Sequence, residues 1–267
     1  MKWPCVLIAA FLSVGCSLKK MTVDQTAGVL QDAGGALDNE NDLELAAAAI
    51  PASLKTIEGF LEAHPTQPIL LGLLAQGYAN YSFGFVEDEA EAVQATDDER
   101  SEHLKRRALN LYLRAKDFGL RLIALENESL AQALRGGQMP TSEQLAEIDR
   151  ETMPGLLWTA IAWGSAINVG KTDPALVAEL PIVKAMLERA VQIDEGFAFA
   201  SAHLTLGAIE AGLPKALGGK PDLARAHFEK AIEITQGHHL MTRVLYARAY
   251  GVQSADRAWF EKTLRAV

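Results

Sequence analysis

The chain has 267 residues, 49% hydrophobic and 22% charged, enough apolar material for one large core or two small ones. Its formal net charge is −9 and its pI is near 5.2. An acidic body is repelled by phosphate backbones, which excludes nucleic acid as a partner, and by anionic lipid, so membrane attachment needs a dedicated anchor.

The N-terminus supplies that anchor. Lys2 is a short positive region, Val6 to Val14 is apolar, and Gly15 and Cys16 follow. This is the layout of a secretory signal, and the apolar run is too short to span a bilayer. Leu12-Ser13-Val14-Gly15-Cys16 resembles a bacterial lipobox, with Ser13 where leucine is commoner. The reading is a signal peptide over 1–15, removed to leave Cys16 for lipidation. Cys5 leaves with the signal, so Cys16 becomes the one cysteine of the mature chain and no intramolecular disulfide is available. Loss of Lys2 takes the mature charge from −9 to −10. Ser17 after the cysteine favours the inner leaflet of the outer membrane.

Residues 16–40 are small, polar and interrupted by Gly28, Gly34 and Gly35, and read as a lipidated tether with one weak helix. Asn41 and Glu44 then fit a capping box. Pro51 is expected to start a second helix through Leu54, Ile57 and Leu61, ending at His64-Pro65. No charge occurs between Glu62 and Glu87, and Thr152 to Gly170 is uncharged as well. Gln76, Asn80 and Ser82 interrupt the first stretch and Thr159, Ser165 and Asn168 the second. Both are predicted to be buried helices of a large bundle rather than membrane spans. The acidic run Glu87 to Glu99 lacks the ligand alternation and turn glycine of a calcium loop, and is predicted to be a solvated loop. A long helix flecked with bases follows near Ser101 to Leu125. Gly136-Gly137 ends the next segment, Thr141 and Gln144 form a second capping box, and Asp173-Pro174 opens another helix.

The most informative feature is internal repetition. Met186 to Gln192 matches His227 to Glu233, which matches Trp259 to Arg265, at offsets of 41 and 32 residues. A tetratricopeptide unit is about 34 residues, two antiparallel helices. The longer offset fits one unit plus an insertion around Leu213 to Gly219. Ala190 and Ala231 are small enough for close helix packing, and the large residue three positions earlier fills the groove to the next unit. Ala202, Gly207, Ala208, Ala247 and Ala249 play the small-residue part in the preceding helices. An earlier copy lies at Leu111-Tyr112-Leu113-Arg114-Ala115. The fold class is therefore all-α: a single domain over 41–267 built as a tetratricopeptide-like helical-hairpin array, an α-α superhelix.

Sites of chemistry are sparse. Gly218-Gly219-Lys220 fails as a phosphate loop, because Pro214 replaces the first glycine and Pro221 the metal-binding hydroxyl. Adjacent His238 and His239 point apart on a helix start and read as surface or capping residues. No catalytic residue, metal site or cofactor is nominated, and the reading is not an enzyme. Tyr78, Tyr81, Phe83, Phe85, Trp158 and Trp163 combine apolar bodies with polar tips; Tyr78, Tyr81, Phe85, Trp158 and Trp163 form the candidate ligand pocket.

The run Leu217 to Glu233, the run Leu240 to Tyr250, and Asp256-Arg257 with Phe260-Glu261 are similar to the C-terminal half of the TRAP-transporter T-component (TatT) lipoproteins. The lipobox, the helix around Tyr78 and Tyr81 and the helix from Trp158 to Trp163 extend the resemblance over most of the chain. The resemblance implies a periplasmic tetratricopeptide-like lipoprotein that binds the solute-binding subunit of a tripartite ATP-independent periplasmic transporter. It allows a small hydrophobic ligand and self-assembly into a homo-oligomer, and it carries over one residue, the acylated Cys16. The competing reading is a tetratricopeptide scaffold lipoprotein for envelope or outer-membrane assembly.

Overall fold

The computed structural model describes residues 4–212, 219–255 and 257–267, with the side chains of 4–17, 37 and 38 left undescribed. The Cys16 thiol, Gly218 and most of the insertion expected around 213–219 therefore lie outside the described residues. The described chain forms helices and turns, with no strand among them. In order they are α1 (Pro4–Asp32), α2 (Gly34–Asp38), α3 (Leu43–Ala63), α4 (Pro68–Tyr81), a π-helical turn (Ser82–Glu87), α5 (Asp88–Val93), α6 (Asp98–Glu126), α7 (Glu128–Arg135), α8 (Ser142–Ala146) and α9 (Met153–Val169). Then come α10 (Pro174–Ala178), α11 (Leu180–Asp194), α12 (Phe197–Gly212), α13 (Pro221–Ile234), α14 (Leu240–Tyr246), a second π turn (Ala247–Gly251), α15 (Val252–Ser254) and α16 (Arg257–Leu264).

Successive long helices pack antiparallel. Tyr78 of α4 meets Glu58 of α3, and Tyr81 meets Arg107 near the start of α6. Gly119 of α6 abuts Thr159 of α9, while Gly170, just past α9, abuts Leu109 earlier in α6. In the C-terminal region His203 of α12 meets His227 of α13, and Gly196 at the start of the hairpin meets Ile234 at its end. The stack is compatible with tetratricopeptide-like repeats. One core joins α1, α3, α4, α5, α6 and one side of α9, and a second joins the end of α6 to α7, the other side of α9, α11 and α12. A smaller third core holds α12, α13 and α14 together.

The repeat positions carry this packing. Ala115, Ala190 and Ala231 are buried, and so are Tyr112, Leu187 and Phe228 three residues before each. In the last copy Phe260 and Thr263 are only half-buried. The uncharged stretches are α4 with its π turn, and α9. Leu70, Leu71, Leu74 and Ala75 are sealed in the first core and Leu156, Ala160 and Trp163 in the second. No helix among the described residues is long and apolar enough to cross a membrane. The Thr141–Gln144 capping box is present, Asp173 caps α10, and Pro221 opens α13.

Four local expectations need correction. Pro51 does not start a helix; it lies inside α3, which runs through it. Losing one backbone bond is tolerated because Ala46, Leu54 and Leu61, on both sides of the proline, bury one common face. The cap of α3 is Asp42, not Asn41: its Oδ1 accepts from the amides of Glu44 and Leu45, both at 3.0 Å. The acidic run is mostly helical rather than a loop. Glu87 closes the π turn, Asp88, Glu89 and Glu91 fill the first turn of α5, and Asp97 caps α6. Acids at helix starts offset the unpaired amides there. Finally, residues 18–32 belong to a helix that docks, since Val23 and Ala27 are buried in the first core and His64 lies 3.6 Å from Asp24.

One feature has no signal in the sequence. Ala198, Phe199 and Ala200 take φ of 49°, 59° and 59°, a left-handed turn at the entry to α12 that costs each non-glycine residue about 1–2 kcal/mol. It turns Phe199 outward, 65% exposed, to stack on His239 at 4.9 Å.

Candidate functional site

α4 is apolar on all sides, and the Gln67 side chain caps its start by accepting from the Leu70 amide at 2.9 Å. Burial between α3 and α6 follows from that composition. Gly77 permits the closest approach: a Cβ there would stand 2.6 Å from Leu54 of α3. The next residue, Tyr78, thereby reaches α3, and its hydroxyl donates to Glu58 Oε1 at 2.7 Å. Arg114 of α6 reaches the same oxygen at 2.6 Å, and Lys55 pairs with Oε2. Burial pushes the Glu58 carboxyl up, but the Lys55 and Tyr78 hydrogen bonds and the Arg114 charge outweigh it, so Glu58 titrates below its ordinary value. Burial and the Glu58 charge together raise the Tyr78 phenol.

The aromatic candidates divide. Tyr78 stacks on Phe118 at 6.0 Å, Tyr81 stacks on Phe85 at 5.6 Å, and Phe83 and Trp158 pack against the same core. Trp163 lies in the second core. It is fully buried, donates from Nε1 to Glu179 at 2.7 Å, and carries the Lys116 ammonium 3.2 Å above its ring centroid. Burial lowers the Lys116 pKa against the opposing pull of Glu179. Trp163 thus sits in a separate polar clasp from the group formed by Tyr78, Tyr81, Phe85 and Trp158.

Arginines of α6 cover the tyrosines. Arg107 lies 5.6 Å over the Tyr81 ring and donates to its hydroxyl at 3.3 Å, and Arg114 lies 5.2 Å over Tyr78. Both line a surface groove of about 460 Å³ together with His103, Arg106, Asn110 and Leu111. Sequence reasoning passed over Arg107, Arg114 and Glu58. The available signal was Lys105-Arg106-Arg107 followed by Arg114 one helical heptad later, with no acid between Glu102 and Asp117, in a chain of net charge −9.

The remaining candidates do not join this site. His239 sits at the start of α14 with its Nδ1 3.0 Å from the Thr242 hydroxyl, and Lys220 precedes α13 without capping it by its side chain. Among the described residues no group of three His, Cys, Asp or Glu is placed to hold a metal ion.

Comparison with known families adds the decisive observation. The family model for the TRAP transporter T-component matches residues 39–267, which takes in everything from α3 to the C-terminus. The chain belongs to the TRAP transporter T-component family. An uncharacterized protein of Treponema pallidum (strain Nichols) is 24% identical over 285 aligned positions, covering 99% of this chain and 88% of the relative. As a T-component the protein is an accessory of a transporter, and the family points to the periplasm and to association with transporter subunits.

Proposed function

We propose that this T-component is a periplasmic lipoprotein accessory subunit, tethered through Cys16, that binds the solute-binding subunit of a TRAP transporter and performs no catalysis. The observation that carries the reading is the family match over the whole packed array, 39–267. Stacked helical hairpins favour binding, because each hairpin leaves faces that the next does not cover. Cys16 stands directly after the small residues Val14 and Gly15, as lipidation requires. The test is affinity capture from periplasmic extract with mass spectrometry of what is retained. Recovery of the solute-binding protein supports the reading; recovery of envelope-assembly proteins in its place favours the scaffold alternative and leaves the family match as a statement of fold.

A small hydrophobic ligand is the second part of the reading. Its support is the grouping of Tyr78, Tyr81, Phe85 and Trp158 in one core, with the two hydroxyl tips turned to Glu58 and Arg107. A fatty acid or an aromatic acid titrated into the protein is expected to change tryptophan emission through Trp158. The response should survive Trp163→Phe and vanish in Trp158→Phe. A response that follows Trp163, or none with either probe, contradicts this placement.

A further inference from the structure

α6 carries an uneven charge. In a chain of net −9 it holds Lys105, Arg106, Arg107, Arg114 and Lys116 with no acid among them. Arg106, Arg107, Asn110 and Arg114 are all exposed. Three of these five charges pair with a carboxylate, and Arg106 and Arg107 form no ion pair among the described residues. Lys105 pairs with Glu102 at 2.8 Å, Arg114 with Glu58 at 2.6 Å and Lys116 with Glu179 at 3.6 Å, while among the described residues Arg107 bonds to a neutral phenol alone. Arg106 makes no hydrogen bond among the described residues, and the nearby Glu102 already serves Lys105. All six residues lining the groove come from α6, so the groove is a helix face and not an enclosed cavity.

We infer that the face of α6 from His103 to Arg114 is a docking site for an acidic segment of a partner protein, and that the partner is the solute-binding subunit. The identity of the partner rests on the function proposed above; the chemistry of the site does not. Guanidinium groups bind carboxylates in bidentate fashion, and Asn110 adds an amide donor between them. Arg107 and Arg114 are seven residues apart, about 10 Å along the helix, and the half-exposed Arg114 would share its guanidinium between Glu58 and the partner. Carboxylates three residues apart on an extended segment, or seven apart on a helix, match that spacing.

An open helix face favours a protein over a small acid, because small-ligand sites bury about 70–90% of the ligand surface. An anionic bilayer is disfavoured by the adjoining groove, where Glu58, Glu62 and Asp117 stand among Arg114, Phe118 and Arg121. A shaped partner accommodates that alternation and a flat anionic surface does not.

The test uses the full mature chain and the purified solute-binding subunit of the same transporter, with titration calorimetry at 50 and 300 mM salt. The charge reversal R106E/R107E replaces two exposed side chains, and circular dichroism with thermal melting verifies the fold. Wild type should bind more weakly at the higher salt, and the reversal should weaken binding by about tenfold or more at low salt. The conservative R106K/R107K should retain most of the salt-dependent attraction. Equal affinity in wild type and R106E/R107E, with no salt dependence, overturns the docking site and leaves the proposed function standing. Absence of any binding by wild type overturns the proposed function and this assignment with it. If sedimentation shows that the reversal instead dissolves a homo-oligomer, or if flotation shows that it abolishes binding to phosphatidylglycerol vesicles, the occupant is a second copy or a membrane and the inference is wrong.

Discussion

Two carboxylates, one in each half of the molecule, meet burial in opposite ways. Glu58 stands at the edge of the first core and receives three donors, from Lys55, Tyr78 and Arg114. Glu210 of α12 is wholly buried in the C-terminal half; Lys184 of α11 pairs with Oε1, and Oε2 has no hydrogen-bond partner among the described residues. Beside it, His203 and His227 face each other Nδ1 to Nδ1 at 2.9 Å, so one of the two nitrogens carries the proton and the other accepts it. The N-terminal half therefore presents a satisfied polar network toward its surface. The C-terminal half holds a partly satisfied network between helices, close to the left-handed turn at Ala198–Ala200. The first is suited to a rigid binding face, and the second is expected to be the easier of the two to loosen.

The largest effect should come from breaking the buried pair. Lys184→Met leaves Glu210 uncompensated and is expected to destabilise the protein by about 3–5 kcal/mol in urea unfolding. The double variant K184M/E210M should recover most of that loss, since a hydrophobic pair of similar volume tolerates burial. If the single variant is as stable as wild type, the contrast between the halves disappears.

Next in size is the crossing of α6 and α9. A Cβ at Gly119 would stand 2.0 Å from the Thr159 hydroxyl and 3.2 Å from its Cα, a clash that involves backbone. Gly119→Ala should cost about 1–3 kcal/mol despite the better helix propensity of alanine, read as a fall in melting temperature.

Acidification should separate the halves by pH. Burial lowers the pKa of His203 and His227 below their ordinary 6.5 in the folded protein. The unfolded chain then binds more protons, so the stability they allow is present above pH 6.5 and is lost as pH falls below it. Glu195, Lys230, Lys184 and Glu210 surround the pair, with Glu195 3.6 Å from His203 Nε2. Glu58 has a lowered pKa, so its contribution holds above pH 4.5 and fades only as pH drops through the folded value. Hydrogen exchange between pH 7 and 5 should therefore loosen α12 and α13 before α3 and α4. The smallest effect should be Glu58→Gln, about 1 kcal/mol, because its network sits near solvent.

Much of this molecule was legible as sequence. Ala115, Ala190 and Ala231 with their large partners marked buried helix contacts, because packing geometry recurs in residue size, and the stack they form is compatible with tetratricopeptide-like repeats. The uncharged stretches disclosed α4 and α9 because complete burial leaves no room for charge. The failures were of context. Pro51 looked like a helix start, since nothing local shows that both flanks bury one common face. The acids from Glu87 to Glu99 looked like a loop, since their partners Arg100, Tyr112 and Arg248 lie up to 157 positions away. The aromatic set looked like one pocket, since sequence does not tell that Trp163 belongs to a different core from Tyr78. The left-handed turn at Phe199 had no glycine to mark it.

The central claim is that this T-component works by binding the solute-binding subunit of its transporter. Sedimentation velocity on the two purified proteins, mature chain and solute-binding subunit mixed in equal amounts at micromolar concentration, tests it most directly. A boundary sedimenting faster than either protein alone and containing both is the expected result. Two boundaries unchanged from the separate proteins would contradict it.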